Sequence, residues 1–330
     1  MDGHRRSRRG VLAGAVGIAG AATAGCLDRV PVLGSDPAPS VGPIPAGATV
    51  FATADVTALL EAGPLRDLLD DGIPLTDIEG LSETVDDNTG LDPRDAETVS
   101  VFLTPDTGMA GGVIDATWDA GDVVTAIESQ GRSLTETTVE GTPAYTDDTG
   151  DLTVTSLPDG RTVAGVGGGA RAIVATENGS KAGIGAGVRR AYGRVPSGPV
   201  GFAIDASNAS EETITTATQE LPRFARDVVE SVQFVAGSLS ATDGQPQITV
   251  QVTGNDGTDA RQLKEYVEAM PALLEQRLDD DDISAVLDDA TISRDETRVT
   301  VTLLGRETVQ PFVDAVFAQI ILSLLPSSIS

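Results

Sequence analysis

Leu152-Thr-Val-Thr-Ser-Leu-Pro-Asp-Gly-Arg-Thr-Val-Ala-Gly-Val-Gly-Gly-Gly-Ala-Arg171 is the stretch on which the fold class turns. Apolar and polar residues alternate on both sides of Pro158-Asp159-Gly160, a turn tripeptide between two strands. The second strand runs into three glycines, and Ala170 to Thr176 then takes the spacing of a short helix. A hairpin that feeds a helix is the local signature of an α+β protein with antiparallel strands.

The same pattern returns later in the chain. Ala290-Thr-Ile-Ser and Arg298-Val-Thr-Val-Thr-Leu-Leu-Gly-Arg306 again read as a hairpin leading to a helix. Upstream, VFATADV at Val50 matches GFAIDAS at Gly201 loosely. The expected fold class is therefore α+β, with two tandem similar units of mostly antiparallel sheet and flanking helices. The first unit is expected over 49–183 and the second over 184–330.

Other elements fill this frame. Asp55 can cap a helix carrying Leu59 and Leu60, and Gly63-Pro64 starts a further turn with Leu65, Leu68 and Leu69. Leu75, Ile78, Leu81 and Val85 continue at helical spacing. Strands are expected over 98–103 and 112–117, with a helix over 122–130 closed by Gly131. Another strand pair is expected around 135–145. In the second unit a helix near 188–192 precedes a strand over 200–206, and Ser210 caps a helix interrupted near Pro222. Strands over 232–241 and 247–253 are joined through Asp243-Gly244, a hairpin dipeptide. A long amphipathic helix over 258–278 follows. Val309, Phe312, Val313, Val316, Phe317, Ile320, Ile321 and Leu324 recur at three and four, which predicts a docked core helix rather than one lying on a membrane.

The N-terminus is of another kind. Ser7-Arg8-Arg9-Gly10-Val11-Leu12 resembles the twin-arginine export motif, with Val11 where Phe is commoner. Val11 to Ala24 is uncharged and mostly Gly and Ala. As a helix it spans about 21 Å, short of the roughly 30 Å of a hydrocarbon core, so residues 1–25 read as a signal peptide. Thr23-Ala24-Gly25-Cys26 resembles a lipobox, although Thr23 replaces the usual Leu or Val. That resemblance implies cleavage before Cys26 and a lipid on its sulfur. The expected partners are thus the twin-arginine translocase during export and afterwards a membrane, on the outer face of the cytoplasmic membrane. Residues 26–48 hold five prolines and read as a tether.

Composition points to a solvent. The 330 residues carry 22 basic against 50 acidic side chains, a net charge of −28, with 3% aromatics. Loss of residues 1–25 removes four arginines and Asp2, which leaves the rest more negative still. Lys181 and Lys264 are the lysines. Acidic excess, scarce lysine and few large aromatics together resemble a haloarchaeal protein, with the export motif and lipobox a haloarchaeal twin-arginine-exported lipoprotein, and the element order resembles uncharacterised secreted proteins with a duplicated α+β unit. In molar salt the Debye length falls to about 3 Å, so such a surface repels itself little. Nucleic acid is not an expected partner, since no basic stripe exists to meet phosphates.

Residue counts exclude several chemistries. The single cysteine, Cys26, has no disulfide partner, and the single histidine, His4, lies in the signal. Ser-His-Asp and Cys-His nucleophiles, and His- or Cys-ligated zinc, copper or haem, are excluded from the mature body. No enzyme activity, cofactor or metal is expected. Gly165 to Ala170 follows a strand and opens a helix, where a phosphate loop would sit, but the spacing is not G-x-G-x-x-G and no Lys-Ser/Thr follows. It reads as a permissive turn, and Gly183-Ile-Gly185-Ala-Gly187 as a flexible joint. Asp279 to Asp282, Asp288-Asp289 and Asp86 to Gly90 read as solvated acidic turns, without the ligand spacing of a calcium loop. Trp118 reads as packing. Asn178-Gly-Ser180 and Asn208-Ala-Ser210 fit the glycosylation sequon at expected loops.

The expectation is therefore a non-catalytic, lipid-anchored extracytoplasmic protein that binds a ligand or partner of unknown nature at the cell surface. Two alternatives are a solute-binding receptor of a transporter and a carboxylate-based cell-surface hydrolase.

Overall fold

The computed structural model describes residues 41–72, 89–218, 223–274 and 290–310. The signal, Arg8, Arg9, Cys26, the acidic runs at 86–88, 279–282 and 288–289, and the helix expected beyond 310 lie outside the described residues.

In chain order the elements are β1 (Val50–Asp55), α1 (Val56–Glu61), α2 (Gly63–Gly72), β2 (Ala96–Thr104), β3 (Met109–Ala116), α3 (Ala120–Ser129), β4 (Leu134–Val139), β5 (Thr142–Asp147), β6 (Thr153–Ser156), β7 (Thr162–Val166) and α4 (Gly169–Glu177). They continue with α5 (Ala186–Tyr192), β8 (Val200–Asp205), α6 (Glu211–Thr218), α7 (Arg223–Glu230), β9 (Val232–Thr242), β10 (Gln245–Gly254), α8 (Gly257–Leu274), β11 (Thr291–Asp295) and β12 (Arg298–Leu304). The fold class is α+β, as expected.

The twelve strands among the described residues form one antiparallel sheet, in the order β11-β12-β10-β9-β8-β1-β2-β3-β7-β6-β5-β4. The two expected units, 49–183 and 184–330, both contribute strands to it, β1–β7 and β8–β12. The first strands of the two halves, β1 and β8, pair with each other, Ala52 opposite Phe202 and Ala54 opposite Val200. Short alternating strands left the lateral neighbour of β1 open, because period-2 patterning fixes a strand's faces and not its partner.

Local chemistry accounts for the element ends. The Asp55 carboxylate accepts from the Ala58 N–H and caps α1. Asp119 and Asp122 form a reciprocal capping box on α3, so that helix begins two residues before the expected start. Asp243 and Gly244 both take positive φ, 52° and 76°, which is the two-residue turn that suits strand twist. At the outer edges, β4 and β11 each have one neighbour among the described residues and are six and five residues long.

Helices pack on both faces of the sheet. Phe51, Phe102, Val113 and Val163 share one face and pack under Ile173 of α4 and Tyr192 of α5. Phe51 and Tyr192 place their ring centroids 4.9 Å apart, and the Tyr192 hydroxyl meets the Thr53 hydroxyl at 2.8 Å. Residues 41–48, read as the end of the tether, already belong to this body. Ile44 is buried, Pro45 bridges to Gly183, and the Ile184 N–H donates to the Ile44 carbonyl at 3.0 Å. On the opposite face, Leu65 and Leu68 of α2 are fully buried against Leu239, Ile248 and Leu303, while α3 covers Val154 of β6.

Candidate functional site

Between α1–α2 and α3, no described element covers that second face. The alternation of β1, β2, β3 and β7 sends Val50, Val101, Leu103, Ala110, Ala164 and Val166 to the same side, because residues paired across antiparallel strands share a face. They line a groove of about 390 Å³, with Leu152 at its rim and Gly112 in its floor. Most of these side chains are only half-buried. Phe51 and Phe102 back the groove from beneath, with Gly111 and Gly165. A patch of aliphatic surface left open to water is the feature that marks a contact site.

A loop of acids holds the rim. The buried Asp147 carboxylate accepts from the N–H groups of Asp151 and Leu152, at 3.0 and 3.1 Å, and from the Thr149 hydroxyl. Arg132 donates to it at 3.1 Å. Burial alone would raise the pKa of this group. The Thr149 hydroxyl, the two backbone N–H groups and the Arg132 charge outweigh it and hold the pKa below the usual 3.8. A carboxyl whose folded-state pKa is depressed adds stability above its unfolded value, and loses that contribution as pH falls through the folded value. Asp147→Asn is therefore expected to lower the thermal midpoint at pH 7, with the gap to wild type closing as pH drops below the usual carboxylate range. A gap that is the same at both pH values would contradict this.

The glycine-rich stretch has a packing role. Gly167 and Gly168 take φ of 59° and 85°. The Gly167 N–H, which a phosphate loop would turn toward an anion, donates instead to the Asp151 carboxylate at 2.9 Å. Gly165 and Gly169 lie against backbone: a Cβ on Gly169 would stand 1.8 Å from the Ala110 carbonyl oxygen. Gly187 likewise lets α5 rest on the Phe234 ring, where a Cβ would meet Cζ at 2.5 Å. The reading of 183–187 as a joint is thus replaced by close contact at Gly187.

The remaining sequence candidates lie apart from the groove. Trp118 donates its indole N–H to the Asp92 carbonyl at 3.3 Å, a packing role. Lys264 pairs with Glu268 on α8. Asn178 ends α4 and Asn208 ends a short 3₁₀ turn after β8. Among the described residues, no group of three or more His, Cys, Asp or Glu is placed to hold a metal ion. No described helix is long and apolar enough to cross a membrane. The groove itself escaped sequence reading. Its residues look like ordinary core alternation, and only the placement of helices shows which part of the face stays uncovered.

The fold defines the chain as an α+β protein built on one open antiparallel sheet. No protein-family profile matches it, and no curated protein does. Among solved structures it is similar to TP0453 in three crystal forms. Form III aligns with a TM-score of 0.46 at 13% identity, over 83% of this chain and 97% of that one. Form IV gives 0.45 at 13%, over 84% and 97%. Form I gives 0.44 at 12%, over 86% and 98%.

Proposed function

We propose that this chain is a non-catalytic, lipid-anchored extracytoplasmic protein whose body offers the apolar groove to an aliphatic part of a ligand or partner. The observation that carries the reading is the lining. Every residue on the groove is Val, Leu, Ala, Gly or Phe, a surface that gains about 25 cal/mol for each Å² of apolar area covered but can neither move a proton nor attack a carbonyl. The continuous β1–β8 seam supports a single body over a receptor with two lobes closing on a hinge. The stretch from Cys26 to Ser40 could reach roughly 50 Å if extended, enough to hold that body clear of a membrane surface. We read the two halves as tandem copies. In support, each runs strand, helix, strand, strand, helix, and each closes on a hairpin.

The groove is tested with an uncharged fluorescent apolar dye, titrated in molar salt against wild type and Ala110→Phe. The added ring fills the groove without changing charge. Saturable binding by wild type, weakened about tenfold or more in the variant at unchanged circular dichroism, is the expected result; a tenfold loss corresponds to about 1.4 kcal/mol, well within what burial of one phenyl-sized apolar surface supplies. Equal binding by both proteins would remove the groove from the reading.

A further inference from the structure

The two sequons differ in one atom's availability, and from that difference we infer that Asn178 is a glycan attachment site and Asn208 is not. Attachment joins the side-chain Nδ2 to the anomeric carbon of a glycan that arrives as a lipid-borne phosphate or pyrophosphate ester. The C1–O bond to phosphate breaks and its electron pair leaves with the phosphate. Nδ2 forms the new bond to C1 and gives up one proton, keeping the other hydrogen. No oxidant or reductant enters. The step needs an amide nitrogen that can leave its present contacts and a sequon backbone that can enter a transferase.

Asn178 meets both needs. It follows the last turn of α4, and residues 177–182 are exposed without interruption. Its Oδ1 accepts from the Ser180 N–H at 3.0 Å, which turns Nδ2 outward. The sequon hydroxyl is also easily freed. Ser180 donates to the Ala175 carbonyl at 3.0 Å, but that carbonyl already accepts the Lys181 N–H at 2.8 Å and stays satisfied if Ser180 turns away. Gly179, with φ of 73°, supplies a local backbone that no β-carbon constrains.

Asn208 is exposed by area, yet its amide is occupied. Nδ2 donates to the carbonyls of Ala46 and Ala48, at 3.1 and 3.4 Å. The assignment of nitrogen is secure chemically, since the reverse orientation would set Oδ1 against two carbonyl oxygens. The rest of this sequon is fastened as well. Asp205 caps the turn through the Ser207 N–H at 3.1 Å. Ser210 donates both its N–H and its hydroxyl to the Asp106 carboxylate, at 2.9 and 2.7 Å. Glycosylating Asn208 would remove both of its contacts to the entering segment 46–48 and disturb the charge-assisted Ser210–Asp106 contacts.

Export of an already folded chain, which the twin-arginine resemblance implies for the proposed extracytoplasmic protein, would present the sequons to a transferase in this state. The test on purified protein does not depend on that route. The folded chain is incubated in high salt with an oligosaccharyltransferase and its lipid-linked glycan donor, beside synthetic peptides spanning 174–184 and 204–214. Occupancy is read by peptide mass spectrometry. The expected result is modification of both peptides, but of Asn178 alone in the folded chain, by about tenfold or more over Asn208, since two hydrogen bonds must be broken at the latter. Asn178→Gln should abolish the mass increment, and Asn208→Gln should leave it. Comparable occupancy at Asn208 in the folded chain, or an unmodified folded Asn178 beside a modified 174–184 peptide, would overturn the assignment. Whether cells export and anchor the protein is read separately from its N-terminal peptide.

Discussion

Cys26→Ser is expected to move the protein from the membrane fraction to the medium or to leave it unprocessed with its signal attached. The argument rests on the sequence having one thiol. A structural disulfide is ruled out by the count, and a lone exposed thiol outside a cell would be a reactive liability unless it is blocked. Each buried methylene of an attached lipid adds about 0.8 kcal/mol of membrane affinity, so one acyl chain binds marginally and reversibly, while two hold a protein for its lifetime. Removing the attachment point should therefore change partition almost completely rather than by a fraction. The groove contributes little to membrane affinity beside two acyl chains. Fractionation in molar salt, with intact-mass analysis of the N-terminal peptide, gives the answer. Continued partition of the serine variant with membranes would refute the lipid, as would an unmodified thiol at the mature terminus of the wild type.

Gly169→Ala is expected to unfold or severely destabilise the body. The added carbon would stand 1.8 Å from the Ala110 oxygen and 2.5 Å from its carbonyl carbon. Neither atom belongs to a side chain that can swing away. Relief requires lifting the start of α4 off β3, and α4 buries Ala170, Ala172, Ile173 and Val174 in the largest core cluster. Ordinary overpacking costs about 1–3 kcal/mol, and displacement of a buried helix should exceed about 4 kcal/mol, a large share of the 5–15 kcal/mol that typically separates folded from unfolded states. Gly168→Ala is the control. Its β-carbon meets open space, so only its φ of 85° opposes the change, at about 1–2 kcal/mol. Denaturation curves of the two variants in high salt should differ widely. A Gly169→Ala midpoint close to wild type would show that the helix does not dock there.

The same glycines show what the sequence makes legible and what it hides. The hairpin through Asp243-Gly244, the cap at Asp55 and the strand–turn–helix after Leu152 were readable because each is decided by neighbours within a few positions. The purpose of Gly169 was not, because the nearest atoms it makes room for belong to Ala110, more than fifty positions earlier, and Gly165 is wedged between that same Ala110 and the nearby Ala170 nitrogen. Long-range partners hid the β1–β8 seam for the same reason. VFATADV and GFAIDAS were compared with Val50 against Gly201. In the sheet, Val50 faces Ile204 and Thr53 faces Gly201, a register that no local pattern dictates. Composition bears on chemistry without any partner being known: the sequence holds one cysteine, Cys26, and one histidine, His4, so the described residues contain neither.

The outermost strands bear on whether the folded chain can associate edge to edge in concentrated salt. An open sheet invites further strands to add at either rim, and in concentrated electrolyte, where the Debye length is about 3 Å, negative bodies no longer keep one another at a distance. Protection must then come from the rims themselves. One rim is Leu134-Thr-Glu-Thr-Thr-Val139, with its middle four residues open to water, and the other is Thr291-Ile-Ser-Arg-Asp295. Both are short and present charged or hydroxyl side chains to water, Glu136 on one and Arg294 and Asp295 on the other, features that oppose edge-to-edge pairing.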